Sequence, residues 1–284
     1  MNQTMKWAVP SAMILMPLLW WLSTSSTFHM GNRANWSQAT YVWNSQVLLD
    51  ENLRPATLAD LSTADIDRIY LGLNRNESTA AASGELDIEA LIAAAGARGI
   101  AVDLLLGEPL WMKPEHRHDL LALITSLAHI PFERLHLDLE VDQLEGPVTD
   151  NYLQDWLDTL AAAVAVSPWP VTIDSHHRWF HAEDRSPCVP CALPDIGVVE
   201  VSIMLYITNA DRAADIMQTI VHKWPRLHFR LAQSVEHDQP TTISWHGKSA
   251  QELHLMARRW RSSLSTEGVR GVDWQDWQAY PAHD

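Results

Sequence analysis

From about residue 39 onward the chain alternates between short apolar runs and longer amphipathic ones. The short runs are TYVWN (40–44), RIYLGLN (68–74), IAVDLLLGE (100–108) and RLHLDLEVD (134–142), followed by PVTIDSHH (170–177), VEVSIMLYI (199–207), LHFRLAQSVE (227–236) and GVRGVDW (268–274). Their length and their β-branched, Leu and aromatic content predict strands. Most intervening segments, such as PEHRHDLLALITSLAHI, DNYLQDWLDTLAAAVAV and SAQELHLMARRWRSSL, carry apolar residues at three- and four-residue steps and predict helices. LDIEALIAAAGARG opens acidic and closes on Gly, the polarity expected of a helix. The first connection is short, the connection 178–197 shows no clear helix, and only QDWQAYPAHD follows the last strand. Eight strands alternating with helices predict a single (β/α)8 TIM barrel over residues 39–284. A doubly wound open sheet is the runner-up, but no G-x-G-x-x-G follows the first strand and no Walker motif occurs.

RLHLDLEVD alternates strictly. Leu135, Leu137, Leu139 and Val141 form one face, and His136, Asp138, Glu140 and Asp142 the other. In a barrel the apolar face packs under helices and the polar face points to the axis and the C-terminal mouth, where barrel enzymes place their chemistry. The same parity turns Thr172, Asp174 and His176 inward on the fifth strand, and Glu200, Ser202, Met204 and Tyr206 on the sixth. On the seventh it turns Arg230, Ala232, Ser234 and Glu236 inward. The mouth is thus expected to gather Glu140, Asp174, His176, Tyr206 and Glu236, with Trp43, Asn44, Trp111 and Trp274 at or just past strand ends. The plainer alternative is a buried ion-pair network with Arg230 or His228.

Composition narrows the chemistry. A formal net charge of -15 argues against nucleic acid as a partner. Fourteen tryptophans are many for this length; indoles can be core, and they also make platforms for the apolar faces of sugar rings. Carboxyls ringed by indoles predict an oligo- or polysaccharide site with no cofactor and no metal.

The N-terminus carries Lys6 and then the apolar stretch 7–22, interrupted by Pro10 and Pro17. Residues 1–25 are read as a signal peptide or membrane anchor, with possible membrane attachment through 7–22, and 26–38 as a linker. The barrel is therefore expected to work outside the cytoplasm. Cys188 and Cys191, in SPCVPC, are the only cysteines. In an exported chain they predict a local disulfide. A zinc site with His176, His177 and His181 is the alternative.

With these residues in place, the chain resembles the family 18 glycoside hydrolases, the chitinases and their relatives. Their fourth strand carries D-x-D-x-E, and HLDLE keeps Asp138-x-Glu140. Their sixth carries M-x-Y, matched by Met204-x-Tyr206, and a Trp at the end of their eighth is matched by Trp274. LLLGEPLW resembles the Gly-containing turn after their third strand. The resemblance implies that Glu140 is the general acid. It implies that Asp138 orients a 2-acetamido group and that Tyr206 bonds its carbonyl while that group attacks the anomeric carbon. His136 stands where the family has its first Asp, and Ile207 where an Asp usually follows M-x-Y. A second mechanism fits the same fold: Glu140 as acid/base and Glu236 as nucleophile, with carboxyls ~5 Å apart.

Three classes of function follow: an exported glycosidase acting on a cell-envelope or matrix polysaccharide, a catalytically degenerate carbohydrate-binding barrel, and metal-dependent hydrolysis using His176, His177 and carboxyls. The last lacks ligands on the first two strands beyond Asn44 and Asn74.

Overall fold

In a computed structural model, which describes residues 36–181 and 186–281, the chain forms a closed barrel of eight parallel strands in sequential order. The strands are β1 (Ser37–Val42), β2 (Arg68–Gly72), β3 (Ala101–Leu106), β4 (Leu135–Leu137), β5 (Val171–His176), β6 (Glu200–Met204), β7 (Phe229–Ser234) and β8 (Val269–Gln275). β8 pairs with β1, so no edge is left open. The helices are α1 (Gln46–Leu49), α2 (Arg54–Thr63), α3 (Arg75–Ser83), α4 (Ile88–Gly96), α5 (Arg117–Leu127), α6 (Asp150–Val166), α7 (Val189–Ile196), α8 (Ala210–Lys223) and α9 (Ala250–Leu264). The signal or anchor segment read at 1–25 lies outside the described residues, among which no helix is long and apolar enough to cross a membrane.

Helix ends follow their local chemistry. Asn74 caps α3 in a capping box with Glu77, and Ser249 caps α9 with Glu252. The first connection, expected to be short, holds both α1 and α2. In 178–197, where no helix was expected, Pro190 in the first turn starts α7 and Gly197 ends it in the left-handed region. Cys188 and Cys191 form the expected local disulfide at its start. Among the described residues after β8, the one element is a 3-10 turn, Trp277–Ala279.

The alternation of β4 separates two environments. Leu135, Leu137, Leu139 and Val141 are buried in the apolar layer between sheet and helices, with Ile124, Leu153 and Trp156 in the same layer. The barrel interior is polar instead. At its base Arg68 pairs with Asp103, Arg230 Nε with Asp273 Oδ1 at 2.7 Å, and Arg134 with Glu200 at 2.6 Å. Arg230 also donates to Ser37 Oγ on β1 at 2.6 Å. Its guanidinium needs the missing side chain of Gly271, where a Cβ would lie 2.5 Å from Nη2. The ion-pair network of Arg230 therefore exists, but below the carboxyls of β4, and His228 is exposed outside it. Each charge at the base has an opposite partner, which is the condition for burying it.

Candidate active site

Above the paired charges lies a middle layer of aromatic and hydrogen-bonded groups. Tyr70 stacks on His136 at 4.0 Å between centroids, and Tyr41 meets the same ring edge-on. His136 Nε2 lies 2.8 Å from Asp174 Oδ2, and Nδ1 lies 2.7 Å from Thr172 Oγ1. The Tyr41 hydroxyl donates to Asp174 Oδ1 at 2.5 Å. Burial first, and Arg230 among the charges, holds the imidazole near pKa 4, so it is neutral.

The regular ladder of β4 stops at Leu137, yet the inward alternation continues through the next residues. Asp138 and Glu140 both line a cavity of about 430 Å³ at the mouth, together with Tyr41, Trp43, Tyr206 and Glu236. Gly107, Gln143, Asp174, Met204, Gln239 and Gln275 complete its wall. Asp142, expected on the same face, is turned away because the chain winds into the 3-10 turn Val141–Gln143, and it pairs with Arg178.

Four carboxyls share this cavity, and no lysine or arginine is among its described lining residues. Burial pushes Asp138 well above the usual carboxylate range, and a charge on Asp174 or Glu140 pushes it further whenever either is ionised. Its Oδ1 is buried without a hydrogen-bond partner among the described residues. Burial also raises Glu140, against the hydrogen bond from Gln143 and the charge of Arg178. Glu236 is raised by burial and steadied by Ser234, whose hydroxyl lies 3.1 Å from Oε2. Tyr206 is raised by burial and then by Asp174, Asp138, Glu140 and Glu236, which places its phenol among all four. Carboxyls held protonated at a mouth can deliver protons, and an orphaned acceptor beside a phenol can receive an amide.

The other expected substrate contacts divide. Trp43 and Asp174 line the cavity. Asn44 does not: it lies past the end of β1, is absent from the cavity wall and is exposed. Trp111 sits in the 3-10 turn Pro109–Met112, packed against the apolar layer outside the barrel. His176 ends β5 stacked on His177 at 4.5 Å, and it borders a narrower crevice beside Glu140 instead of the main cavity. Trp274 is fully buried on the helix side, against Trp260 and Tyr280, because Asp273 and Gln275 hold the inward positions of β8. The sequence reading missed Tyr41, Gly107, Gln143, Gln239 and Gln275. Parity on β1 and β8 would have found Tyr41 and Gln275; Gln143 and Gln239 sit past strand ends, where no period applies.

His177 Nδ1 lies 3.0 Å from His181 Nε2, but among the described residues no three His, Cys, Asp or Glu side chains are grouped to hold a metal ion.

No protein-family model matches the chain, and no curated protein matches it. Solved structures do. A glycoside hydrolase of family 5, subfamily 18, from Streptomyces cattleya in complex with GlcNAc aligns with a TM-score of 0.56 at 20% identity, over 85% of this chain and 70% of that one. A family 113 β-1,4-mannanase aligns at 0.55 and 12% identity, over 87% and 89%. An aldolase, QR15, aligns at 0.51 and 7% identity, over 86% and 91%. The fold is a TIM barrel. At these identities the likeness carries the fold and not the chemistry.

Proposed function

We propose that the protein is an exported glycoside hydrolase cleaving a polysaccharide of the cell envelope or extracellular matrix, with Glu140 as general acid. The observation that carries this reading is that Glu140 shares one cavity with Asp138 and Tyr206, in an environment that favours its protonated form. A general acid must hold its proton until the leaving oxygen needs it. The unpartnered Oδ1 of Asp138 and the Tyr206 phenol supply an acceptor and a donor for the N–H and carbonyl of an acetamido group. This pairing favours an N-acetylated sugar whose own acetamido group attacks the anomeric carbon. Trp43, partly exposed at the rim, supplies an apolar platform for a sugar ring.

A second mechanism is favoured by Glu236, which lines the same cavity from beyond the end of β7. There it would act as nucleophile, with Glu140 as acid/base. The test is release of reducing ends from N-acetylated and neutral β-linked glycans by the purified full-length protein. Glu140→Gln should lower cleavage at least ~10²-fold with binding retained, because the amide keeps the shape and carries no transferable proton. Tyr206→Phe severe and Glu236→Gln mild supports attack by the substrate; the reverse order supports a Glu236 nucleophile. Equal glycan binding by wild type and Glu140→Gln with no reducing ends from either leaves a carbohydrate-binding barrel instead.

A further inference from the structure

His136 is fully buried, both ring nitrogens are engaged, and one of its partners, Asp174, reaches the cavity. The hydroxyl proton of Thr172 has two places to go. Thr172 Oγ1 lies 3.4 Å from the Leu135 carbonyl, an acceptor only, and 2.7 Å from His136 Nδ1. If the hydroxyl donates to Leu135, its lone pair takes the Nδ1–H, and Nε2 is left as a bare acceptor 2.8 Å from Asp174 Oδ2. Asp174 then carries the proton on Oδ2 while Oδ1 accepts from Tyr41. In this arrangement every donor in the chain Tyr41–Asp174–His136–Thr172–Leu135 meets an acceptor, and no net charge is buried. The opposite tautomer leaves an anionic Asp174 beside a neutral imidazole in a layer without a cation of its own.

We propose that His136 and Asp174 form a positioning pair that holds one proton on Asp174, keeping that carboxyl neutral beneath Asp138. The proposal rests on the glycosidase reading given above. A neutral Asp174 removes a like charge from below Asp138, so that Asp138 can ionise against the positive charge that develops on the sugar. The pair thereby does at this position what a second carboxyl could not, since two adjacent carboxylates resist ionising together. The groups facing the pair are Tyr41 from β1, Tyr70 with Arg68 from β2, and Asp103 from β3. Asp138 and Glu140 face it from β4, Glu200 and Tyr206 from β6, Arg230 from β7 and Asp273 from β8. The charges among those below it are paired with one another.

Two measurements decide it. Nitrogen-15 NMR of labelled histidine in wild-type protein reads the tautomer of His136 without any glycan. A neutral ring protonated at Nδ1 between pH 5 and 8 is expected, and the same in Asp174→Asn, whose amide can donate to Nε2. A proton on Nε2, or an imidazolium, overturns the proposal. The second measurement is the pH profile of glycan cleavage. His136→Asn removes the acceptor that favours neutral Asp174, so Asp174 ionises at lower pH and raises Asp138. The acidic limb of kcat/KM should move up by ~1 pH unit, with a ~10-fold loss on that side. Asp174→Asn, fixed in the neutral form, should leave the position of that limb where it is. A limb unmoved in His136→Asn overturns the proposal, because a space-filling histidine changes stability and not the profile. If His136→Asn fails to fold, Thr172→Val replaces it, with the expected shift of the proton toward Nε2 and of the limb in the same direction; an unchanged tautomer overturns the proposal. The NMR result stands whether or not a glycan is cleaved, which separates failure of the pair from failure of the glycosidase reading.

Discussion

Trp43 lies directly over Gly107: a Cβ at residue 107 would come within 2.9 Å of Trp43 Cη2, and within 3.0 Å of the Asp138 carbonyl oxygen. The rim indole and the strand end that carries the carboxyls therefore share one site of close approach. Gly107→Ala should displace the indole or the Asp138 backbone. The expected result is a KM raised several-fold or a kcat lowered ~10-fold, since small misplacement at a reacting centre is costly. Steady-state kinetics beside a thermal melt checks this, and an unchanged kcat/KM would show that Trp43 is free to move aside.

Glu140 must be protonated to act, so activity is lost as pH rises through its pKa. Burial raises that pKa, which places the basic limb of the kcat/KM profile above the ordinary glutamate value of 4.5. Gln143, whose amide donates to Glu140 Oε1, works in the other direction by favouring the carboxylate. Gln143→Leu should therefore move the basic limb further up, and a limb that moves down contradicts the assignment of Glu140 as the acid.

The same burial predicts a stability effect at Asp138. Its folded pKa is raised, so the folded state binds more protons than the unfolded one as pH climbs past the ordinary value of 3.8. Stability from this residue is complete below that value and is lost as pH rises through the folded pKa. Asp138→Asn removes the loss. At neutral pH the variant should melt roughly 2–4 °C above wild type, the response of a domain of this size to about 1 kcal/mol, with the gain vanishing near pH 3. Thermal melts at both pH values test it, and a gain equal at both would point to packing instead of charge.

The barrel was legible because the polar face of β4 could not be an exposed sheet face in a chain of eight evenly spaced apolar runs. Parity then carried Asp138, Glu140, Asp174, Tyr206 and Glu236 to one cavity without further information. It failed where it was not applied. Trp274 was read from its place at a strand end, but its neighbours Asp273 and Gln275 hold the inward positions, and the indole belongs to the helix side. Asn44 was set beside Trp43, but both lie past the end of β1, where the period of two no longer fixes which way a side chain points. Trp111 and Gln143 lie in 3-10 turns, where the period of two ends and the direction of a side chain depends on how the turn winds. The proton arrangement around His136 was illegible for a different reason: it depends on contacts among β1, β4 and β5, which no local pattern encodes.

Arg230 reaches across the seam of the ring, from β7 to Asp273 on β8 and Ser37 on β1. Arg230 and Ser37 are 193 positions apart, so this clasp forms only after almost the whole barrel chain has left the ribosome. Until then β1 has one unpaired side, and Arg230 lacks its carboxylate. Closure is a late step that waits on a long-range search, which slows folding and lengthens the time an open edge is exposed to other chains. Substitutions at Gly271, the residue that makes room for the guanidinium, should then be felt first in the yield of protein that reaches the native ring, before any effect on the chemistry at the opposite end.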